Sequence, residues 1–173
     1  TNLTISDSIT SIGSYAAAGC KNITSVVLPA SVTVIEEGAF SGSESLKSVT
    51  FAEGLQTIGS EAFSSCEQLS EVVIPNSVTT IGERAFYSCD DLTKVTIGNG
   101  VRTIGSRAFA DCAWIPKGDG SKYGTDIHIY CRPTTPPTVE GSELIGTNSK
   151  RVHIYVPASD DDSIINAYKA AAG

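Results

Sequence analysis

Two short segments carry the side chains best suited to binding chemistry. The segments His128–Tyr130 and His153–Tyr155 both read His-Ile-Tyr. In a β-strand, residues two apart point to the same side, so each histidine and its tyrosine would face one way and the isoleucine the other. An imidazole can donate or accept a hydrogen bond, and a tyrosine offers contact area with a hydroxyl to orient a partner. Two histidines without a close third ligand make a poor metal site. A recognition surface is therefore the stronger hypothesis.

Cysteine recurs at one repeat position, which could suggest disulfide or metal chemistry. The occupants of this position are Cys20, Ser43, Cys66, Cys89 and Cys112. Close C-x-x-C pairs, the usual form of a thiolate metal site, are absent from the sequence. Cysteine also packs as a small apolar residue. We predict a buried ladder of reduced thiols, and a bond between Cys112 and Cys131 stays open as an alternative.

Motifs of known catalytic sites are missing from the sequence. It contains no P-loop, no dinucleotide-binding fingerprint, no H-E-x-x-H and no nucleophile motif. Its two histidines leave little room for a hydrolytic triad. We therefore predict a protein that is not an enzyme and that uses no cofactor and no metal.

A 23-residue repeat must position these residues. Isoleucine and phenylalanine recur with this step, at Ile12, Ile35, Ile58, Ile81 and Ile104 and at Phe40, Phe63, Phe86 and Phe109. A period of about 20 to 29 residues with leucine-like positions is typical of a leucine-rich solenoid. One such repeat cannot bury its apolar side alone, so stacked turns must share a core.

Residues 46–68 illustrate one predicted turn of the coil. The spacing L-x-x-V-x-F over 46–51 predicts a strand, and Glu53-Gly54 a tight turn. The spacing over 60–66 resembles that of a short helix. At the corner between them, Glu36 of the second repeat stands where Gly59 stands in the third, so a corner that needs positive φ would be strained at Glu36. The predicted class is an α/β repeat: a right-handed solenoid with a parallel strand per 23-residue turn and short helices or turns on the other face.

Stacking would place the two His-Ile-Tyr segments as the sixth and seventh rungs of a parallel sheet. Glu71 and Lys94 would precede them on the outward side, where earlier rungs are plainer. We therefore predict a ligand-binding surface composed of Glu71, Lys94, His128, Tyr130, His153 and Tyr155. The alternative is that tyrosine and histidine lie there because they suit exposed strands and cross-strand packing.

The segment Leu69–Cys89, LSEVVIPNSVTTIGERAFYSC, resembles the BspA-like (treponemal-type) leucine-rich repeats nearly letter for letter. The resemblance extends over essentially the whole chain, including the His-Ile-Tyr-Cys-Arg and Val-His-Ile-Tyr-Val-Pro segments of the tail. It implies an exported protein of the bacterial cell surface, either an outer-membrane lipoprotein or secreted. It also implies adhesion to host matrix proteins or to other cells, whereas the exposed His-Ile-Tyr residues themselves would suit a host or bacterial surface protein or a glycan.

Charge and hydrophobic pattern exclude some classes of binding partner. A net charge of -7 and a pI near 4.7 argue against nucleic acid, which requires a basic surface. The sequence lacks the roughly 18 consecutive apolar residues that span a bilayer. The chain opens at Thr1 within a repeat, as expected for a mature fragment, and we expect it to be a monomer.

Regularity is expected to end after Cys112. We predict one continuous domain in which 1–112 form five repeats and 113–173 form irregular C-terminal repeats and a cap. Within the second part, 113–125 is predicted to be a loop, 126–131 and 152–157 strands, and the segment after Ser159 a helix that caps the core. The acidic run Asp160–Asp162 fits a solvated helix start better than a calcium site, because no EF-hand spacing accompanies it.

Function is predicted less directly than fold. The main prediction is a non-catalytic module of the cell surface that binds a ligand or mediates adhesion through its exposed sheet. The alternatives are a structural spacer for another domain and an accessory domain that captures glycans.

Overall fold

The computed structural model describes residues 1–112, 114–116, 122–124, 126–141 and 152–157, with backbone alone for 114–116 and 122–124. These residues form a parallel β-solenoid of about six turns with about 23 residues in each turn. Strand pairs confirm the period, because Ile35 lies beside Ile58 and Ile58 beside Ile81. The strands alternate between two faces of the coil, which we call the front face and the side face.

The front face contains seven strands of the described residues. They are β1 (Asn2–Thr4), β3 (Ser25–Val27), β5 (Ser48–Thr50), β7 (Glu71–Val73), β9 (Lys94–Ile97), β13 (Ile127–Cys131) and β15 (Val152–Tyr155). All of their pairs are parallel, in the orders β1-β3-β5 and β7-β9-β13-β15. The strands predicted over 126–131 and 152–157 are thus present, slightly shorter than expected.

A seam divides the front face between β5 and β7, which no ladder joins. Neighbouring coils elsewhere are joined by backbone hydrogen bonds beside the front-face strands: the Lys47 N–H donates to the Thr24 carbonyl, and the Thr93 N–H donates to the Ser70 carbonyl. The seam coincides with the largest inward residue of this face, since Phe51 stands where neighbouring turns have leucine or isoleucine. The Phe51 ring packs edge-on against Phe63, with centroids 5.7 Å apart.

The side face is a second sheet that the sequence pattern did not reveal. Its strands are β2 (Ser11–Ile12), β4 (Val34–Ile35), β6 (Thr57–Ile58), β8 (Thr80–Ile81), β10 (Thr103–Ile104) and β14 (Thr138–Val139). They pair in one unbroken parallel order, β2-β4-β6-β8-β10-β14. Each strand has two residues, too short for an alternating pattern, and the recurring Thr-Ile pairs were the available signal.

Turns, and not helices, connect the side face to the next front-face strand. The predicted helix over 60–66 is wrong for a physical reason: Glu61 and Ser65 have φ of 55° and 57°, in the left-handed region that interrupts a right-handed helix. Successive backbone N–H groups of the turn donate alternately within the turn and to the next coil. The Ala62 N–H donates to the Gly59 carbonyl within the turn, and the Phe63 N–H donates to the Ala85 carbonyl of the next coil. The described residues contain strands and turns but no helix. The predicted α/β class is therefore replaced by an all-β class in this part of the chain. Of the two elements predicted for the other face, short helices or turns, the turns are confirmed.

At Gly59 the corner is kept free of a Cβ by coil spacing and not by positive φ. Gly59 is absent from the residues with positive φ, and a Cβ at this residue would lie 2.7 Å from the carbonyl carbon of Glu36. The strain considered for Glu36 therefore does not arise from φ. Its carboxylate instead accepts hydrogen bonds from the Ser14 amide and hydroxyl, both at 3.0 Å.

A ladder of phenylalanines fills the core beside the turns. Phe40, Phe63, Phe86 and Phe109 are fully buried. Successive rings stack with centroids 5.2, 5.3 and 5.4 Å apart and interplanar angles of 8° or less. The 23-residue step thus brings identical side chains into face-to-face contact on neighbouring coils.

The cysteine position proves to be a hydrogen-bond donor site. All five cysteines are thiols, and Cys66, Cys89 and Cys112 are buried. The Cys89 Sγ donates to the Phe63 carbonyl at 3.2 Å, and the Ser43 Oγ donates to the Ala17 carbonyl at 2.9 Å in the same slot. Cysteine and serine share this position because both are small and both can donate a hydrogen bond. The exchange of cysteine for serine in the sequence was the signal for a donor, which small size alone does not explain. The alternative bond between Cys112 and Cys131 is absent.

Burial should make the core thiols unreactive. It raises the pKa of Cys66 to about 12 and that of Cys89 well above its usual value. A raised pKa keeps the thiol neutral at pH 8, so the thiolate, which is the reactive form, is scarce at both residues. We expect Ellman's reagent at pH 8 to label the half-buried Cys20 well before Cys66 and Cys89, as mass spectrometry of digests would show. Rapid labelling of Cys66 in the native chain, or fewer than five thiols after denaturation, would contradict this arrangement.

The C-terminal part departs from the expected loop. Strands β11 (Trp114–Pro116) and β12 (Lys122–Gly124) form an antiparallel pair within the glycine-rich insertion. Tryptophan, isoleucine and tyrosine in these segments favour strands, a preference that the glycine content obscured. The predicted cap helix and the run Asp160–Asp162 lie outside the described residues. In the part that the structure describes, no helix has the length and apolarity needed to cross a membrane.

Candidate functional site

The front face presents two outward columns of different chemistry. The structure confirms the side-chain directions expected from strand parity, since Ile127 and Ile129 are buried and Tyr130 is exposed. Pairing in register places His128 beside His153 and Tyr130 beside Tyr155. One column is polar along its length: Asn2, Ser25, Ser48, Glu71, Lys94, His128 and His153. The other is β-branched or aromatic: Thr4, Val27, Thr50, Val73, Thr96, Tyr130 and Tyr155.

Four aromatic rings form a contiguous cluster at the C-terminal end of these columns. We call His128, Tyr130, His153 and Tyr155 the His–Tyr cluster. The two imidazole centroids lie 4.9 Å apart and the two phenol centroids 4.6 Å apart, with interplanar angles of 14° and 11°. A diagonal hydrogen bond of 3.0 Å joins His128 Nδ1 to the Tyr155 hydroxyl. The rings are therefore held in place by one another, which reduces the rotamer freedom that binding would remove.

Charged groups border the cluster on both sides. Lys94 Nζ lies 2.7 Å from Glu71 Oε1, and the hydrogen bond to this carboxylate raises the pKa of Lys94. Both side chains are about half exposed, so the pair contributes little to stability. At the other side, His153 Nε2 lies 3.3 Å from Asp126 Oδ2. Asp126 was not among the predicted site residues, because only the register of β13 and β15 brings it beside His153.

Stacking decides which parts of the cluster a partner can reach. One face of each tyrosine ring lies against the other ring, and the Tyr155 hydroxyl is bonded to His128, which leaves the ring edges and the Tyr130 hydroxyl for a partner. Tyr130 is 38% exposed and Tyr155 44%. In the same column Val73 is 49% exposed and Val27 is 55% exposed, with a threonine on each strand between these residues. This arrangement offers hydrogen-bonding edges beside separate apolar side chains, and the described residues include no group of three or more metal-ligating side chains.

The seam next to β7 adds a feature that the repeat pattern could not predict. It opens a cleft of about 300 Å³ whose walls include Val49, Phe51 and Ile74, with Glu53 and Arg132 at its polar side. Arg132 follows β13 directly and keeps the outward parity of His128 and Tyr130. The cleft therefore lies along the same face as the His–Tyr cluster.

Comparison with known proteins identifies the repeat and the fold. The BspA-type leucine-rich repeat region matches in six copies over residues 1–115. No curated protein matches the sequence significantly. Among solved structures, a leucine-rich cell surface protein from Faecalibacterium prausnitzii A2-165 is similar, with 22% identity, a TM-score of 0.63 and coverage of 96% of this chain and 34% of that one.

Two further solved structures have the same fold. The leucine-rich repeat protein of Treponema pallidum, TpLRR, has 25% identity and a TM-score of 0.65, over 90% of this chain and 72% of that one. A leucine-rich repeat protein from Bacteroides ovatus has 23% identity and a TM-score of 0.61, over 84% of this chain and 49% of that one. The chain thus spans about a third of the Faecalibacterium protein and about half of the Bacteroides protein. Its match over residues 1–115 shows that the chain belongs to the BspA-type leucine-rich repeat family.

Proposed function

We propose that this chain is a non-catalytic module of a bacterial cell surface that binds a protein partner through its front face. The observation that supports this proposal best is the His–Tyr cluster, in which four rings are stacked, joined by a hydrogen bond and exposed at their edges. Tyrosines fixed in this manner are favoured as interface anchors, because they supply contact area at a small cost in conformational entropy. A leucine-rich cell surface protein among the similar structures supports the location.

The stacking geometry favours a polypeptide over a glycan as the partner. A sugar ring binds an aromatic side chain mainly through the aromatic face, and the stacking leaves at most one face of each tyrosine ring for such a contact. The exposed ring edge carries the positive end of the quadrupole and the hydroxyl can donate a hydrogen bond. Both suit carbonyl and carboxylate oxygens of a polypeptide. The neighbouring Val73 and Val27 offer apolar contact of the kind found in protein interfaces.

Binding to the purified chain tests the proposal. The domain is screened against matrix proteins, intact bacteria and a glycan array, together with a variant carrying Tyr130→Ala and Tyr155→Ala. A second variant with Tyr15→Ala and Tyr87→Ala is the matched control, because these tyrosines lie on the turns, away from the front face. We expect the first variant to lose affinity about tenfold or more for a protein partner, as for central tyrosines of an interface, and the control to keep it.

The alternatives predict other outcomes. Hits that free sugar competes away would assign the chain to glycan capture. Equal loss in the cluster variant and its control would show that the front face has no special role. If no partner is found and a surface phenotype depends on the number of coils but not on the tyrosines, the chain is a spacer.

A further inference from the structure

A cleft lined by two arginines lies beyond the end of β13. Its volume is about 430 Å³, and it is lined by Asn99, Arg102, Arg132, Thr134 and Thr135 together with two prolines. No carboxylate of the described residues lines it. Two arginines, two threonines and an asparagine thus line one space in a protein whose net charge is -7. Such a set of donors suits an anionic group.

Arg102 is already oriented by the backbone. Its Nη1 donates to the Asn99 carbonyl at 2.9 Å and to the Val101 carbonyl at 3.2 Å. A guanidinium has five N–H donors in a rigid plane, so fixing one nitrogen sets the direction of the others. The side chain therefore keeps donors for a ligand without having to be ordered first. Both acceptors are neutral backbone carbonyls, so these hydrogen bonds do not neutralise the positive charge of the Arg102 guanidinium.

Arg132 connects this cleft to the front face. Its amide donates to the Ile97 carbonyl at 3.0 Å, which continues the ladder between β13 and β9. Its side chain lies between the arginine cleft and the seam cleft, since it lines both. Arg132 therefore forms part of both cleft walls, directly after β13 and two residues beyond Tyr130.

Glu53, which lines the seam cleft together with Arg132, is held by hydrogen bonds to other groups. Its carboxylate accepts hydrogen bonds from the Asn76 amide at 3.1 Å and the Ser77 amide at 3.0 Å. These backbone bonds from Asn76 and Ser77, with a smaller effect of Arg132, hold the pKa of Glu53 below its usual value. No carboxylate of the described residues lies within ion-pair distance of the Arg132 guanidinium.

Charge along the coil directs an acidic ligand to this end. Residues 1–72 contain two basic and eight acidic residues, a net charge of -6, and residues 73–173 contain ten basic and eleven acidic residues, a net charge of -1. The acidic excess of the chain is therefore concentrated in its N-terminal part, although the outward residues of β1, β3 and β5 are neutral. The arginine cleft gives an anion a local attraction within about one Debye length.

We propose that Arg102 and Arg132 form a carboxylate-binding site that takes an acidic side chain of the polypeptide docked on the His–Tyr cluster. The assignment to a polypeptide rests on the proposed function; the anion site itself rests on the arginine cleft. Each guanidinium can bind a carboxylate through two parallel hydrogen bonds, and Thr134 and Thr135 can supply further donors. The seam cleft beyond Arg132 would receive an apolar side chain next to the acidic one in the partner.

An acidic peptide provides a direct test. Tetraglutamate with blocked ends is titrated into the chain while the arginine side-chain Nε–H resonances are followed by NMR, with tetraglutamine as the uncharged control. We expect shifts at Arg102 and Arg132 with tetraglutamate only. Arg102→Gln and Arg132→Gln should each weaken binding by up to about fivefold, as for the loss of an exposed charge pair. Raising the ionic strength from about 0.1 M to about 1 M, which shortens the Debye length to about 3 Å, should weaken it further.

Arg84→Gln is the matched control, because this arginine lies on the turns within 3.8 Å of Glu61 and 3.6 Å of Glu83. If Arg84→Gln weakened tetraglutamate binding as much as the other two substitutions, the binding would depend only on the overall charge of the protein, and the proposed site would be overturned. Binding of an acidic oligosaccharide but not of tetraglutamate would overturn the polypeptide assignment. A natural partner that tolerates both arginine substitutions but not loss of the tyrosines would overturn the site and leave the proposed function standing.

Discussion

Replacing Gly82 with alanine is expected to destabilise the solenoid, whereas the same change at Gly13 is expected to stabilise it. These glycines occupy one position of the repeat. For Gly82→Ala we expect a loss of about 1 to 3 kcal/mol in the free energy of unfolding, the range found when a packed interior is overfilled. For Gly13→Ala we expect a gain of about 0.4 to 1 kcal/mol, because alanine restricts the unfolded chain.

The opposite signs follow from what a Cβ would meet. At Gly82 it would lie 2.6 Å from the Gly59 carbonyl carbon and 2.8 Å from the Ser60 Cα, and it would also overlap the Ser60 nitrogen. These are backbone atoms of the preceding coil, which cannot move without breaking hydrogen bonds between coils. At Gly13 nothing lies within 4 Å. Neither glycine has positive φ, so the comparison isolates coil spacing.

Equilibrium unfolding in urea, followed by far-UV circular dichroism, measures both changes. Gly59→Ala should behave like Gly82→Ala, because its Cβ would lie 2.7 to 2.9 Å from the backbone of the second coil. A stabilised Gly82→Ala variant would mean that the coils are farther apart than described.

Phe86→Ala is expected to lower the free energy of unfolding by about 3 to 5 kcal/mol, the usual range for a buried phenylalanine. Phe86 is fully buried and stacks on Phe63 on one side and Phe109 on the other, at 5.3 and 5.4 Å. Its loss leaves a cavity between two coils that are fixed by their strands. The expected loss for Phe86→Ala is a large part of the total free energy of unfolding of an ordinary domain, about 5 to 15 kcal/mol.

Two further variants separate the causes. Phe86→Leu keeps most of the apolar volume but removes the stacked ring, so we expect a smaller loss than for Phe86→Ala. Val27→Ala removes an apolar side chain that is 55% exposed on the front face, and its effect should stay within about 0.5 kcal/mol. The same urea titration compares all three. A Phe86→Ala variant as stable as Val27→Ala would place the phenylalanines outside the core.

Periodicity in the sequence predicted the solenoid because stacking converts a 23-residue step into direct contact. A residue at any position lies beside the residue 23 later, so Ile35 meets Ile58 and Phe63 meets Phe86 without further information. Strand parity then determined that His128 and Tyr130 point outward. That these residues bind a partner stays a prediction, since neither parity nor stacking measures affinity.

Short elements were predicted poorly because they lack a period of their own. The two-residue strands of the side face are too brief to alternate, and the turns over 60–66 have the apolar spacing of a helix without its backbone. Hydrogen bonds to the next coil stabilise Glu61 and Ser65 in the left-handed region, where local propensity alone would not place them.

One can therefore derive from the repeat the coil, its period, its buried columns and the outward direction of the His-Ile-Tyr segments, because all four depend on contacts between residues at one repeated separation. Features that depend on distances across unequal separations required the folded structure. Asp126 reaches His153, Arg102 and Arg132 share one cleft, and the front face opens between β5 and β7. Side-chain size and the breaks in the repeat after Cys112 set these distances, and no periodic pattern contains them.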